Sequence, residues 1–128
     1  MVTKKKRILV VDDEPDQLEL MQTILEHEGY EVINTQNGKQ ALDAISQKPD
    51  LILLDIRMPG ELNGIDVCKR LKNDSKYKSI PIIFFSAKAL EHNIEEGFQA
   101  GGDEYITKPF NSTNLLNIIE KLTTKYSL

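Results

Sequence analysis

Asp12, Asp13, Asp55, Ser86 and Lys108 are the side chains of this 128-residue chain whose types could do chemistry together. A carboxylate can act as a nucleophile toward phosphorus and form an aspartyl phosphate. A phosphoryl group in transfer spreads negative charge over three oxygens, which a Lys ammonium, a hydroxyl and a divalent cation can meet by electrostatics alone. Three carboxylates brought together repel, and at least one then holds its proton more tightly. Magnesium, which takes a few carboxylate oxygens plus waters and phosphate oxygens, would relieve that crowding. Singly, most of these residues have plainer readings. Asp12-Asp13, followed by Glu14-Pro15, also reads as a helix N-cap. Ser86 alone is a loop hydroxyl, and Lys108 before Pro109 is a solvated cation. Asp55 is harder to dismiss. It ends a wholly apolar run, where a carboxylate is costly to bury unless it is paired or bound to metal. The constellation carries the argument.

The elements that must position these residues follow from hydrophobic rhythm. Arg7 to Asp12 reads as a strand. Pro15 to Glu28 reads as a helix, with Pro15 in its first turn, Leu18, Met21 and Leu25 inward, and Gly29 as its stop. Glu31 to Thr35 is a strand, and Lys39 to Gln47 a helix with Ala41, Leu42 and Ile45 inward. Leu51 to Leu54 is a strand covered on both faces. Ile65 to Lys72 is a helix, and Cys68 among its apolar positions reads as core packing. Ile82 to Phe85 is a strand with Pro81 at its edge. Leu90, Ile94 and Phe98 mark a fourth helix, and Glu104 to Thr107 a short strand. Ser112 to Thr124 closes the chain as a helix with Leu115, Leu116, Ile119 and Leu122 buried. Strict alternation of strand and helix predicts an α/β fold, a parallel sheet with helices on both faces. In such a sheet the ligand crevice lies outside the carboxyl ends of the strands, where the strand order reverses. Four strands therefore deliver the polar groups to one rim.

Composition bounds the reading. Residues 1–128 are expected to form a single domain, with 40% hydrophobic and 28% charged residues. Sixteen basic and 20 acidic side chains leave a net charge of -4, a poor match for direct nucleic-acid binding. The Lys4 to Arg7 run reads as a solvated start to the first strand. No apolar run approaches the roughly 20 residues that cross a bilayer, and no secretory signal is recognisable. A single cysteine, Cys68, fits a reducing cytoplasm.

Val10-Val11-Asp12-Asp13-Glu14, Leu53-Leu54-Asp55-Ile56-Arg57-Met58-Pro59, Phe85-Ser86-Ala87-Lys88 and Tyr105-Ile106-Thr107-Lys108-Pro109-Phe110 together resemble the receiver domain of two-component response regulators, over essentially the whole chain. That resemblance implies a flavodoxin-like, doubly wound (βα)5 fold with strand order 2-1-3-4-5. It implies that Asp55 is the phosphoacceptor, that Asp12, Asp13, Asp55 and the backbone carbonyl of Arg57 hold magnesium, and that Ser86 and Lys108 meet phosphoryl oxygens. It also implies a cis Lys108–Pro109 bond and Tyr105 as a rotameric switch. The donor would be a histidine kinase or a histidine phosphotransfer protein. The recipient would be a downstream protein or output domain, reached through the face of helix 4, strand 5 and helix 5, or a second copy in a phosphorylation-dependent homodimer. No membrane or direct nucleic-acid contact is implied. The chain would be a phosphoacceptor rather than an enzyme, apart from self-phosphorylation from small donors and autodephosphorylation.

Two departures stand out. Gly60-Glu61-Leu62-Asn63-Gly64 is one residue longer than the usual step, with Asn63 in place of an acid, which leaves the shape of that loop open. Arg57 and Lys88 put long cations beside the acceptor. Among rivals, a haloacid-dehalogenase-like phosphatase would need an Asp-x-Asp-x-Thr pattern that Asp12 to Pro15 lacks. A nucleotide- or flavin-binding domain would need a Gly-rich loop after the first strand. A phosphorylation-independent interaction module would not need the full set of polar side chains. Whether the chain works alone or as one domain of a longer regulator stays open.

Overall fold

A computed structural model describes residues 5–58, 60–87 and 91–125. Five strands alternate with five helices: β1 (Arg7–Val11), α1 (Pro15–His27), β2 (Glu31–Thr35), α2 (Gly38–Ala44), β3 (Leu51–Leu54), α3 (Gly64–Lys72), β4 (Ile82–Ser86), α4 (Glu91–Gln99), β5 (Glu104–Thr107) and α5 (Ser112–Lys125). All strand pairings are parallel, in the order β2-β1-β3-β4-β5. This is the expected doubly wound, flavodoxin-like architecture.

Residues alternate between the faces of a strand, so a strand covered on both sides must be apolar throughout. Leu9, Val11, Ile52, Leu54, Ile82 and Phe84 point to one face, under Ala41, Ala44, Val67, Cys68 and Leu71 of α2 and α3. Ile8, Val10, Leu51, Leu53, Ile83 and Phe85 point to the other, under Met21, Leu25, Leu115 and Ile119 of α1 and α5. The edge strand β2 is only partly covered, and its sequence, Glu31-Val32-Ile33-Asn34-Thr35, is correspondingly mixed. No helix among the described residues is long and apolar enough to cross a membrane.

The element boundaries shift slightly from expectation. β1 stops at Val11 and β4 runs on to Ser86. The helix expected over Lys39 to Gln47 begins at Gly38, where Asn37 caps it by accepting from the Gln40 amide, and after Ala44 it tightens into one 3-10 turn, Ile45–Gln47. Lys48 then turns left-handed at φ 58°. The following Pro49 disfavours right-handed helix at Lys48, so the segment ends there. Leu42 and Leu116 are half-buried rather than inside, and Phe98 on α4 is 46% exposed. Leu90, expected as the first mark of that helix, lies outside the described residues.

Candidate functional site

The carboxyl ends of β1 and β3 are neighbours, and there the order of connection reverses. Asp12 and Asp55 stand one residue beyond these two ends. Their amides continue the ladder, Asp12 donating to the Thr35 carbonyl at 3.1 Å and Asp55 to the Val11 carbonyl at 3.0 Å. On the next strands, the Lys108 amide donates to the Ser86 carbonyl at 2.8 Å. The backbones under these side chains are therefore fastened to adjacent strands, which is how residues 96 positions apart in sequence come to touch. The Lys108–Pro109 bond is cis.

The Lys108 ammonium donates to Asp12 Oδ2 at 2.9 Å and to Asp55 Oδ2 at 3.1 Å. Asp12 is 1% exposed and Asp55 6%. The remaining oxygens face backbone donors: Asp12 Oδ1 accepts from the Glu14 amide at 3.0 Å, and Asp55 Oδ1 from the Arg57 amide at 3.3 Å. The N-cap reading of Asp12-Asp13 is thereby corrected, because Glu14 occupies the cap of α1 and makes no side-chain cap bond. Asp12 instead makes a short turn ahead of the helix.

Burial pushes the Asp55 carboxyl up to about 6; Lys108 opposes that shift and the charge of Asp12 adds to it. Burial works against the Lys108 ammonium as well, but the bonds and charges of Asp12 and Asp55 outweigh it and hold its proton more firmly than usual. One ammonium thus serves two buried carboxylates, and the exposed Asp13 adds a third. Asp12, Asp13 and Asp55 can each offer an oxygen within 4.8 Å of the others. An all-oxygen donor set with surplus negative charge suits a hard divalent cation such as magnesium, so these residues fit the expected metal.

Ser86 is buried, and its side chain shares a hydrogen bond with Tyr105, whose ring stacks obliquely on Phe84 with centroids 6.1 Å apart. Burial raises the Tyr105 phenol above its ordinary value, Ser86 opposes this, and the charge of Asp55 adds to it. The predicted switch residue thus touches the predicted phosphoryl ligand directly. Arg57 is exposed, and its amide faces Asp55. Lys88 and Pro59 lie outside the described residues.

The longer loop resolves into a definite shape. Gly60 takes a left-handed φ of 98°. Asn63 becomes the N-cap of α3: its side chain accepts from the Asp66 amide at 2.9 Å, and the Asp66 carboxylate accepts from the Asn63 amide at 3.2 Å. This reciprocal cap gives Asn63 a local role in place of the family's acid. The Gly64 amide donates to the Ile56 carbonyl at 2.9 Å. A Cβ at Gly64 would strike the Asp55 carbonyl oxygen, so α3 can start against the end of β3 only with glycine there.

The sequence places Phe85 in a strand and in the Phe85-Ser86-Ala87-Lys88 motif without a role of its own, yet its ring lies under the Lys108 ammonium, 4.9 Å from Nζ to centroid. The available signal was an aromatic residue directly before Ser86.

A response regulator receiver domain model matches residues 8–120. The chain is 41% identical over 117 residues to the DNA-binding response regulator MtrA of Mycolicibacterium smegmatis, covering 91% of this chain and 50% of that protein. It is 40% identical over 118 residues to the response regulator SaeR of Staphylococcus aureus, covering 92% and 50%. The chain spans about half the length of these curated relatives. Among solved structures, a putative response regulator from Chloroflexus aurantiacus superposes with a TM-score of 0.89 at 30% identity, over 94% of this chain and 99% of that one. The signal receiver domain of a histidine kinase from Syntrophus aciditrophicus gives 0.88 at 32%, over 95% and 92%. The clustered acids, the paired lysine and these likenesses agree, and the chain belongs to the response regulator receiver domain family of two-component signalling.

Proposed function

We propose that the chain is a phosphoacceptor, taking a phosphoryl group onto Asp55 from the phosphohistidine of a histidine kinase or phosphotransfer protein. The observation that carries this reading is the buried Asp55 carboxylate at the strand-order reversal, 3.1 Å from the Lys108 ammonium and beside two more carboxylates. An Asp55 oxygen attacks phosphorus, the phosphorus–nitrogen bond of the donor breaks, and the imidazole nitrogen keeps the electron pair and is then protonated. Lys108 is close enough to pair with a phosphoryl oxygen as Asp55 loses its charge, and the Ser86 hydroxyl can bond to another. Asp12, Asp13, Asp55 and the Arg57 carbonyl would hold magnesium, which when bound supplies positive charge against the phosphoryl oxygens. The chain works as a cytoplasmic signalling acceptor and not as an enzyme on a separate substrate; its own chemistry is self-phosphorylation from small donors and loss of that group. The exposed cation Arg57, with Lys88, shields the group from water or orients the donor.

The output follows from the Ser86–Tyr105 bond. When Ser86 turns to a phosphoryl oxygen, Tyr105 loses that partner, and α4, β5 and α5 adjust around it. A new local contact shifts a two-state element only by its differential affinity for the two states. The recipient is a downstream protein, an output domain in a longer chain, or a second copy of this domain.

Incubation with phosphoramidate and magnesium tests the proposal by intact mass. One phosphoryl group, labile to hydroxylamine and absent from Asp55→Asn, is the expected result. Failure to take phosphate from any donor would favour an interaction module that works without phosphorylation.

A further inference from the structure

The polar ring of the site leaves one contact unexplained, the aromatic face beneath Lys108. Phe85 of β4 pairs with Ile106 of β5, so the two side chains share a face of the sheet. Lys108 lies two residues beyond Ile106 and turns to that same face. Its ammonium therefore lies over the Phe85 ring, with Nζ 4.9 Å from the centroid. Phe110 meets Phe85 edge-on, at 5.0 Å between centroids and 71° between planes, which fixes the plane of the Phe85 ring. Phe85 is 3% exposed and the Lys108 side chain 16%, so little water screens the pair. A cation over a desolvated ring face is attracted by the ring quadrupole.

We infer that Phe85 is a positioning residue for Lys108, its ring face holding the ammonium at the rim while the oxygens around it change. The consequence for phosphorylation rests on the phosphoacceptor reading. Asp55 exchanges a carboxylate for an acyl phosphate, and the contacts of Lys108 to oxygen must rearrange. The ring is a contact that the chemistry does not consume.

Fluorine on the ring weakens the quadrupole with little change in shape. Phenylalanines carrying one, two and three ring fluorines, placed at position 85 of the full chain, test the inference. The amine order parameter of Lys108 by NMR should fall stepwise along the series while the melting temperature holds. The maximal rate of phosphorylation by phosphoramidate should fall with it, severalfold in all. Phe85→Leu should match the most fluorinated chain, and Phe85→Tyr, which keeps a ring face, should retain most of the rate. Flat order parameters and rates along the series, with Phe85→Leu alone impaired, would make Phe85 mere packing and overturn the inference. If the unaltered chain accepts no phosphate, the phosphoacceptor reading fails, and the order parameters still decide whether the ring holds Lys108.

Discussion

Asp55 is a carboxylate placed where its charge is uncomfortable. Burial, and then the charge of Asp12, lift Asp55 from 3.8 to about 6 against the pull of Lys108. Because the folded value lies above the unfolded one, Asp55 contributes stability that is present below 3.8 and lost as pH rises through about 6. Asp55→Asn removes that burden. Without divalent cations at pH 7, the Asn chain should be more stable by up to about 3 kcal/mol. The gap should close as pH falls below the ordinary carboxylate range, which melting curves of both chains across pH would follow. A gap independent of pH would show that ionisation of Asp55 is not what strains the fold. This residue was legible from sequence because an acid ended an apolar run. The Ser86–Tyr105 bond and the seat of Lys108 on Phe85 were not, because both depend on which side chains face each other across β4 and β5.

At the scale of the element, the start of α3 holds the end of β3 in place. Gly64→Ala puts a methyl group against the Asp55 carbonyl, with Ile56 Cα 2.9 Å away. Overpacking of this kind costs about 1–3 kcal/mol, and here it should also slow phosphorylation because it displaces the acceptor's own backbone. Asn63→Ala loses the reciprocal cap, at about 1 kcal/mol, and should leave phosphorylation near normal. Urea unfolding midpoints and phosphoramidate rates for the two variants separate these roles. Equal slowing in both would mean that α3 acts on the site through stability alone. Leu51 to Leu54 was readable because a strand covered on both faces is apolar throughout, and the mixed edge strand Glu104 to Thr107 also appears as expected. Helical period says which face is inward but not how far neighbours cover it. That is why Leu42 and Leu116 are only half-buried and Phe98 is exposed. The loop from Gly60 to Gly64 was illegible for a different reason. An added residue can be absorbed at several places, and the left-handed Gly60 together with the cap on Asn63 decides which.

At the scale of the whole molecule, the sheet gathers the ends of β1, β3, β4 and β5 at one rim, so a ligand there ties together four strands distant in sequence. Magnesium should therefore stabilise the entire fold. A ligand bound only by the native state adds about 2.7 kcal/mol at roughly a hundredfold excess over Kd. Melting with millimolar magnesium should shift upward, the shift should reverse with chelator, and it should shrink in Asp13→Asn. No shift would count against the metal site. On the proposed function, an event at Asp55 would reach Tyr105 and the α4–β5–α5 face through the same strands. Hydrogen exchange over residues 91–110 should thus change with a phosphoryl mimic such as beryllofluoride, and silence there would leave acceptance without output. The central claim, that Asp55 alone takes the phosphoryl group, is tested most directly by trapping. Borohydride reduces an aspartyl phosphate to homoserine, and tandem mass spectrometry then locates the altered residue. Homoserine at position 55, with aspartate intact at 12 and 13, is the expected result. Homoserine at either of those two positions, or none at 55 in a chain that carries phosphate, would contradict it.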